Sequence, residues 1–435
     1  MKKVYIETYG CQMNEYDSEL VRAILKKDYT LTDSTSEADI VLLNTCSIRE
    51  NANVKVFNRV SRIRHERNGN GVKIGILGCM ATNFRKQLLA NPKLPIDLIA
   101  GPDSYKRLPE LIEQLEKDGE KGFDVTLSEF ETYSDIYPAR AGGINAWIAV
   151  MRGCDNFCTF CVVPYTRGRE RSRSPENVVA EVSRLVSEGV KQVTLLGQNV
   201  NSYNYKGKDF AHLLERVSEV EGIERIRFTS PHPKDFPMNL LKVIVENPKV
   251  CKHIHLPLQS GNDRILEMMN RTYTKTEYLK LVETIRDLHP EMALSTDIIV
   301  GFPNESDEDF EETYQTMKQV EYDSAFIFKY SERPQTVAKR RFPDGISDEV
   351  KTERIVKLNE LQKEISYKKN KTHIGQTHKV LIEEESTKKS ENEYMTRNDG
   401  NKIVIIPKGS YSKGQFVNVK ITNVTPNVLK GILAS

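Results

Sequence analysis

The chain lacks several things a 435-residue protein can have. No apolar run approaches the roughly 20 residues that a membrane-spanning helix needs. Hydrophobic residues nevertheless make up 38% of the chain, enough for real cores, so no membrane partner is expected. The opening stretch Met1-Lys2-Lys3-Val4-Tyr5-Ile6-Glu7 sets an acid inside its first apolar segment and makes a poor signal peptide, which predicts a cytoplasmic protein. Internal repeats and low-complexity tracts are missing. At roughly 100–200 residues per domain, two to four domains are expected. Net charge is nearly missing too, since 63 Lys and Arg stand against 61 Asp and Glu. The balance is uneven, however: residues 366–435 hold twelve basic and six acidic side chains, a net of +6, which leaves −4 on the rest. A basic tail on a near-neutral body suggests a docking surface for an anionic partner such as RNA.

The seven cysteines are not expected to form disulfides in a reducing compartment. Six of them stand in tidy local contexts, which reads as metal or redox chemistry. Cys154, Cys158 and Cys161 form a C-x3-C-x2-C run directly after a predicted strand. Three thiolates on one tight loop can bind three irons of a 4Fe–4S cube and leave the fourth iron open to substrate. No fourth cysteine follows nearby, and the second distant pair that a structural zinc site usually has is absent. Cys11 follows Tyr9-Gly10, Cys46 follows Asn44-Thr45, and Cys79 follows Leu77-Gly78, each just past the carboxyl end of a predicted strand. In an open parallel sheet, ligands bind outside those strand ends. The three should therefore converge as a second cluster site, rather than stand as three unrelated buried cysteines. Cys251 has no such partner and reads as structural.

The expected fold class is α/β. Residues 1–118 alternate strands (4–8, 40–44, 74–77, 98–100) with helices (18–27, 50–66, 83–90, 108–116). The second helix carries Val54, Phe57, Val60 and Ile63 on one face. This predicts a parallel sheet covered on both sides. Residues 119–145, rich in charge, Gly and Tyr, read as a linker. Over 146–371, strands at 147–151, 192–196, 225–229, 253–256, 294–300 and 325–329 are separated by helical patterns. They predict a partial (β/α)6 barrel, with a doubly wound sheet as the alternative. A long polar helix at 349–371 leaves this domain. Five short strands in 372–435 predict a small all-β barrel.

The C-x3-C-x2-C loop resembles that of the radical S-adenosylmethionine superfamily. With three further cysteines in an amino-terminal α/β domain and a β-barrel tail, the whole chain resembles the methylthiotransferases. Two long stretches are similar to the MiaB type: Thr8-Tyr9-Gly10-Cys11-Gln12-Met13-Asn14-Glu15-Tyr16-Asp17-Ser18-Glu19, and Arg152-Gly153-Cys154 through Pro164-Tyr165-Thr166-Arg167-Gly168-Arg169-Glu170. The resemblance implies a flavodoxin-like first domain, a six-unit partial barrel and a TRAM domain. It implies S-adenosylmethionine and two 4Fe–4S clusters as cofactors, one on Cys154, Cys158 and Cys161 and an auxiliary one on Cys11, Cys46 and Cys79. The implied reaction adds a methylthio group to carbon 2 of an isopentenylated adenosine beside the anticodon of tRNA. An electron donor and a sulfur source are then needed as partners, and a monomer is expected.

Positions at strand ends carry over as cofactor contacts: Gly197, Gln198 and Asn199, Ser230 and His232, Gln259 and Ser260, Asp297 and Gly301. Capping and turn chemistry is the alternative use of any one of them. Arg167, Arg169, Arg171 and Arg173 can meet phosphates or pair with neighbouring acids. Lys368, Lys369, Lys371, Lys379, Lys388 and Lys389 can add salt-dependent phosphate contacts. One departure stands out. The segment from Ser331 reads Gln335-Thr336-Val337-Ala338 where the family commonly has Gly-Thr-Pro-Ala. Three other readings compete. A sister enzyme acts on threonylcarbamoyl-adenosine but typically has Leu-Gly-Cys-Lys-Val-Asn where this chain has Tyr9-Gly10-Cys11-Gln12-Met13-Asn14. A second relative acts on a ribosomal-protein aspartate and usually has an acidic barrel surface. The third is a non-enzymatic iron–sulfur scaffold that binds RNA.

Overall fold

The computed structural model describes residues 1–47, 50–67, 71–90, 96–140 and 142–434. The first domain is built on strands β1 (Lys3–Tyr9), β2 (Thr30–Leu31), β3 (Ile40–Thr45), β4 (Lys73–Gly78), β5 (Leu98–Ala100) and β6 (Gly122–Asp124). They form one sheet in the order β2-β1-β3-β4-β5-β6, with every pair parallel. That is the flavodoxin-like order, whose switch point lies between β1 and β3. The helices are α1 (Gln12–Leu25), α2 (Glu50–Glu66), α3 (Cys79–Asn83), α4 (Arg85–Ala90) and α5 (Leu108–Asp118). Met13, Tyr16, Leu20 and Ile24 of α1 join Leu108, Leu111 and Leu115 of α5 in one apolar layer. Val56, Val60 and Ile63 of α2 belong to the other. Strand β3 is buried along its whole length, which is why it reads as a continuous apolar run rather than an alternation.

Two expectations are corrected here. Val54 does not join the buried face of α2; it is 54% exposed, and Val56 takes the inward position. Residues 119–145 are not only a linker, because β6 adds a sixth strand to the sheet and Tyr133 is fully buried. The Tyr133 hydroxyl donates to Pro102 O and accepts from Tyr105 N, at 3.0 Å each. A three-residue strand is too short to show a period of two.

The central domain runs β7 (Asn145–Ala149), β8 (Met151–Arg152), α6 (Val163–Arg167), β9 (Arg171–Ser172), α7 (Pro175–Ser187) and β10 (Gln192–Leu196). It continues with the hairpin β11 (Asn204–Tyr205) and β12 (Lys208–Asp209), α8 (Phe210–Ser218), β13 (Arg225–Phe228), α9 (Met238–Glu246) and β14 (His253–His255). It ends with α10 (Asp263–Met268), α11 (Lys275–Leu288), β15 (Ala293–Val300), α12 (Asp307–Val320), β16 (Ser324–Lys329), α13 (Val337–Arg341) and α14 (Asp348–Lys371). Strands β7, β10 and β13 pair in parallel, as do β14, β15 and β16, and a parallel bridge from Ile226 to Val250 links the two halves. Helices α7, α8, α9, α11, α12 and α14 contribute to one apolar cluster with Ile148, Val193, Leu195, Ile226, Ile254 and Ile298. One helix-covered face and one polar face, carrying Thr194, Arg227, His255 and Asp297, make a partial barrel rather than a doubly wound sheet. Side-chain caps start α7 (Ser174), α11 (Thr274), α12 (Ser306) and α14 (Ser347), each worth about 1 kcal/mol.

The tail is a closed barrel of β17 (Thr377–Glu384), β18 (Glu393–Arg397), β19 (Ile403–Pro407), β20 (Phe416–Val424) and β21 (Leu429–Leu433), ordered β17-β18-β19-β21-β20. It docks at the amino ends of the central strands. Arg225 donates to Lys379 O and Arg397 O, and Arg227 to Asn398 O and Asp399 O. Lys369 of α14 and Lys402 of the tail share Asp323 at 2.6 and 2.8 Å. Among the described residues no helix is long and apolar enough to cross a membrane.

Candidate active site

The two cysteine sets are brought to one cleft by different devices. In the first domain, Cys11 caps α1 in extended backbone, Cys46 follows β3, and Cys79 opens α3 after β4. Gly10 makes the convergence possible: a Cβ there would stand 2.5 Å from Cys46 Cβ. Asn14 and Asn44 lock the strand ends, since Asn44 Nδ2 donates to Asn14 O at 3.0 Å and Asn14 Nδ2 to Asn44 Oδ1 at 3.2 Å. A hydrogen bond from Cys46 holds the Cys11 thiol down at about 6 against the cost of burial, with Arg167 adding to the effect. Burial pushes the Cys79 thiol up, opposed by Arg167.

In the central domain the cysteine loop hangs between β8 and β9, which pair antiparallel. Gly153 has φ +77°, and a Cβ there would lie 2.0 Å from Arg169 O, so no other residue fits. The middle of the loop is pinned through Thr159. Its N–H donates to Met269 O and its hydroxyl to Met268 O, while its carbonyl accepts from Ala338 N. Arg271 Nη1 stands 3.4 Å from Cys158 Sγ and its Nε 3.1 Å from Tyr273 Oη. Burial raises Cys154, and raises Cys161 to about 12.

Arg167 joins the sets. It ends α6, six residues after Cys161, and its Nε lies 3.2 Å from Cys79 Sγ. Its Nη2 pairs with Asp17 at 2.8 Å, and Arg152 takes the other Asp17 oxygen at 2.6 Å. All three side chains are at most 2% exposed. Arg152 also lies over the Tyr133 ring at 4.6 Å. Asp17 sits among Met13, Tyr16 and Leu20 on the buried face of α1, and that misplaced charge was the signal in the sequence.

Of the strand-end positions, Asn199 Oδ1 and Gln259 Oε1 are buried and find no partner among the described residues. His232 is neutral, because burial pushes it down to about 2. Its Nδ1 accepts from Lys234 N, and its ring lies 5.5 Å from that of Tyr273. Ser230 and Gln259 have φ of +58° and +69°, which turns the chain at the strand ends. Gly197 packs on Met151, and Gln198 is half-buried beside it. Asp297 lies 3.3 Å from His255. Ser260 Oγ meets Thr313 Oγ1, and the Gly301 amide donates to Glu305. Gln335 has φ +70°, a backbone that glycine adopts without strain, and its side-chain amide donates to Asn83 O beside α3.

Of the two readings of the arginines, the structure favours pairing with acids over phosphate contact. Arg167, Arg171 and Arg173 are buried and cannot meet phosphates. Arg171 forks onto Asp103, and Arg173 pairs with Glu181 at 2.7 Å. Only Arg169, 66% exposed and paired with Asp155, is open to solvent. Among the lysines, Lys369 is spent on Asp323, Lys368 pairs with Glu321, and Lys379 is 62% exposed beside Glu224.

Three thiols in each set are the donors that an iron–sulfur cube takes. Among the described residues, no three His, Cys, Asp or Glu side chains gather tightly enough to hold one metal ion. Sulfurs around a tetrahedral zinc stand only about 3.8 Å apart, given Zn–S bonds near 2.3 Å.

Residues 148–317 match the radical SAM superfamily, 3–101 the uncharacterized protein family UPF0004, and 371–434 the TRAM domain. A tRNA-2-methylthio-N(6)-dimethylallyladenosine synthase of Azobacteroides pseudotrichonymphae is 47% identical, over 99% of this chain and 97% of that protein. The Chloroherpeton thalassium protein of the same name is 46% identical, over 99% and 95%. Among solved structures, the radical S-adenosylmethionine methyltransferase TsrM of Kitasatospora setae, with cobalamin and a [4Fe-4S] cluster bound, superimposes at TM-score 0.58. It shares 13% identity over 78% of this chain and 77% of that one, a likeness of fold alone. With near-complete coverage and close to half of its residues identical to such relatives, the chain belongs to the radical S-adenosylmethionine methylthiotransferase family.

Proposed function

We propose that the chain transfers a methylthio group to carbon 2 of N6-isopentenyladenosine beside the anticodon of tRNA. S-adenosylmethionine binds with a 4Fe–4S cluster on Cys154, Cys158 and Cys161, and a second 4Fe–4S cluster rests on Cys11, Cys46 and Cys79. The observation that carries this reading is the 3.2 Å approach of Arg167, from the first loop, to Cys79 of the second set. It supports a single cleft in which a radical generator and a sulfur carrier work on one atom. Carbon 2 of adenine bears a hydrogen that is neither acidic nor activated, so a buried base is no route to it. When bound, the reduced cluster and S-adenosylmethionine supply a radical able to take such a hydrogen, and the auxiliary cluster supplies the sulfur. The protein's own part is to hold and orient. Arg271 braces Cys158, Asn199 and Gln259 offer oxygens unpaired among the described residues at the strand ends, and the Asn14–Asn44 lock keeps three separated thiols at one sheet edge.

The reading requires an electron donor and a sulfur source, and a monomer in the cytoplasm satisfies it. Anaerobic incubation of the reconstituted protein with isopentenylated tRNA should yield the 2-methylthio nucleoside by mass spectrometry. Its absence, with deoxyadenosine still formed, would sink the assignment.

The tail is the proposed anchor for the tRNA backbone, and the fold dictates how to test it. Deleting the tail would strip Arg225 and Arg227 of their carbonyl acceptors and damage the central barrel. Surface changes are cleaner. Replacing Lys388, Lys389 and Lys413 with glutamine should weaken tRNA binding and lower the slope of log K against log salt by about one per lost phosphate contact. An unchanged salt slope in filter binding would move the RNA site elsewhere.

A further inference from the structure

Helix α3 carries Cys79 at its first position and Asn83 at its last, about one helical turn apart. The central domain touches both ends of it. Arg167 Nε lies 3.2 Å from Cys79 Sγ, and the Gln335 side-chain amide donates to Asn83 O at 3.4 Å. From Asn83 the contact runs on to a second strand end. Asn83 Nδ2 donates to Ser47 Oγ, and Ser47 follows Cys46. Both Asn83 and Ser47 are buried. The reach of Gln335 therefore bears on two of the three cysteine positions of the first domain.

Gln335 is presented from a firm base. It stands one residue before Thr336, whose hydroxyl donates to Arg333 O and accepts from Lys339 N to start α13. Ala338 of α13 is buried with Ile265, Met269, Phe302 and Tyr330, and Phe160 of the cysteine loop packs on that group. Ala338 N also donates to Thr159 O, between Cys158 and Cys161, at 2.8 Å. The segment that carries Gln335 is thus fastened to the cysteine loop itself. At φ +70° the residue holds a backbone that disfavours a side chain and suits glycine. A turn alone would be served better by glycine, so what glutamine adds is its reach across the domain boundary.

We infer that Gln335 is a positioning residue. From a frame fixed to the cysteine loop it holds α3, and so sets the gap between the cluster of the central domain and the auxiliary one. This rests on the function proposed above and deepens it, because two centres that act on one atom must be held in a fixed geometry. A single anchor at Cys79 leaves α3 free to pivot. A second anchor one turn away removes that freedom.

The test uses the reconstituted holoenzyme, loaded to equal iron content, with isopentenylated tRNA. Gln335→Gly and Gln335→Glu both remove the donor but treat the backbone differently. Glycine accepts φ +70° freely, whereas glutamate keeps the side-chain shape and the strain and sets a carboxylate against a carbonyl. In both variants the deoxyadenosine formed per methylthio product should rise roughly two- to tenfold, the factor one neutral hydrogen bond is worth. The dipolar coupling between the two reduced clusters, read by electron paramagnetic resonance without turnover, should change in both as well. Thermal unfolding should separate the variants, with glycine near wild type and glutamate lower. A role in the turn alone predicts the opposite pattern, in which the other readouts follow stability and the glycine variant behaves as wild type. A wild-type product ratio or wild-type coupling in either variant overturns the inference. Unaltered protein that forms deoxyadenosine but no methylthio product overturns the function proposed above, and the inference with it. That failure is told apart because it needs no substitution to appear.

Discussion

Cys158→Ala is expected to abolish deoxyadenosine formation, whereas Cys46→Ala should spare much of it and end sulfur insertion. The two cysteines lie on different domains, yet their loops meet at Arg167 and Cys79, so activity alone would not separate them. The products do separate them. Loss of one of three ligands should exceed the roughly 10–100-fold that outer partners of metal ligands cost. Neither change should break the fold. Alanine at 46 keeps the Cβ that packs over Gly10, and at 158 it leaves Arg271 with Tyr273 and Pro257 O. Each variant should lose about four irons of the eight expected for two four-iron clusters. Full methylthio product from Cys46→Ala would remove the sulfur role from the first domain.

The residues that make this test possible were legible at different depths. Strands with a strong apolar signature, such as β3 and β10, could be read nearly to the residue, because both faces are buried. The placement of Cys11, Cys46 and Cys79 at adjacent strand ends followed from the parallel order alone. What stayed hidden was direction. Four arginines at alternate positions look alike in sequence, but only the fold reveals that Arg167, Arg171 and Arg173 turn inward to Asp17, Asp103 and Glu181. Two of these partners, Asp17 and Asp103, are distant in the chain, and local pattern carries no information about them. Strand β6 stayed hidden for a different reason: its pairing with β5 depends on the sheet, not on its three residues. Gln335 was visible as a departure, but its left-handed backbone and its hold on Asn83 O were not.

Asp17→Asn should destabilise the protein by about 3–5 kcal/mol, the cost of leaving buried charge without its counter-ion. Asparagine has nearly the same shape, so the change isolates charge. Asp17 is fully buried and answers two guanidinium groups, one on each side of the cysteine loop. Those arginines have no reserve, since Arg152 Nε and Nη1 and Arg167 Nη1 are already buried without a partner among the described residues. Burial alone would raise the Asp17 carboxyl, but Arg152 and Arg167 outweigh it and hold the group below its ordinary 3.8. A depressed carboxyl contributes stability that is present above the unfolded value and lost as pH falls through the folded one. Wild-type protein should therefore lose this contribution only below about pH 4, and Asp17→Asn should lack that acid-sensitive part. Urea unfolding at pH 7 and along the acid limb measures both. Equal stability at pH 7 would show that the triad is neutral in net effect. The consequence reaches beyond folding, because Asp17 aims Arg167 at Cys79. On the function proposed above Cys79 would hold the auxiliary cluster, and once Arg167 is released a positive charge leaves its neighbourhood. Reduction adds negative charge to a cluster, so the midpoint potential of the auxiliary cluster should move to more negative values. Arg167→Lys separates the two effects. It keeps the charge but loses the fork that spans Asp17 and Cys79 together, and it should perturb the cluster's spectrum while costing less stability than Asp17→Asn.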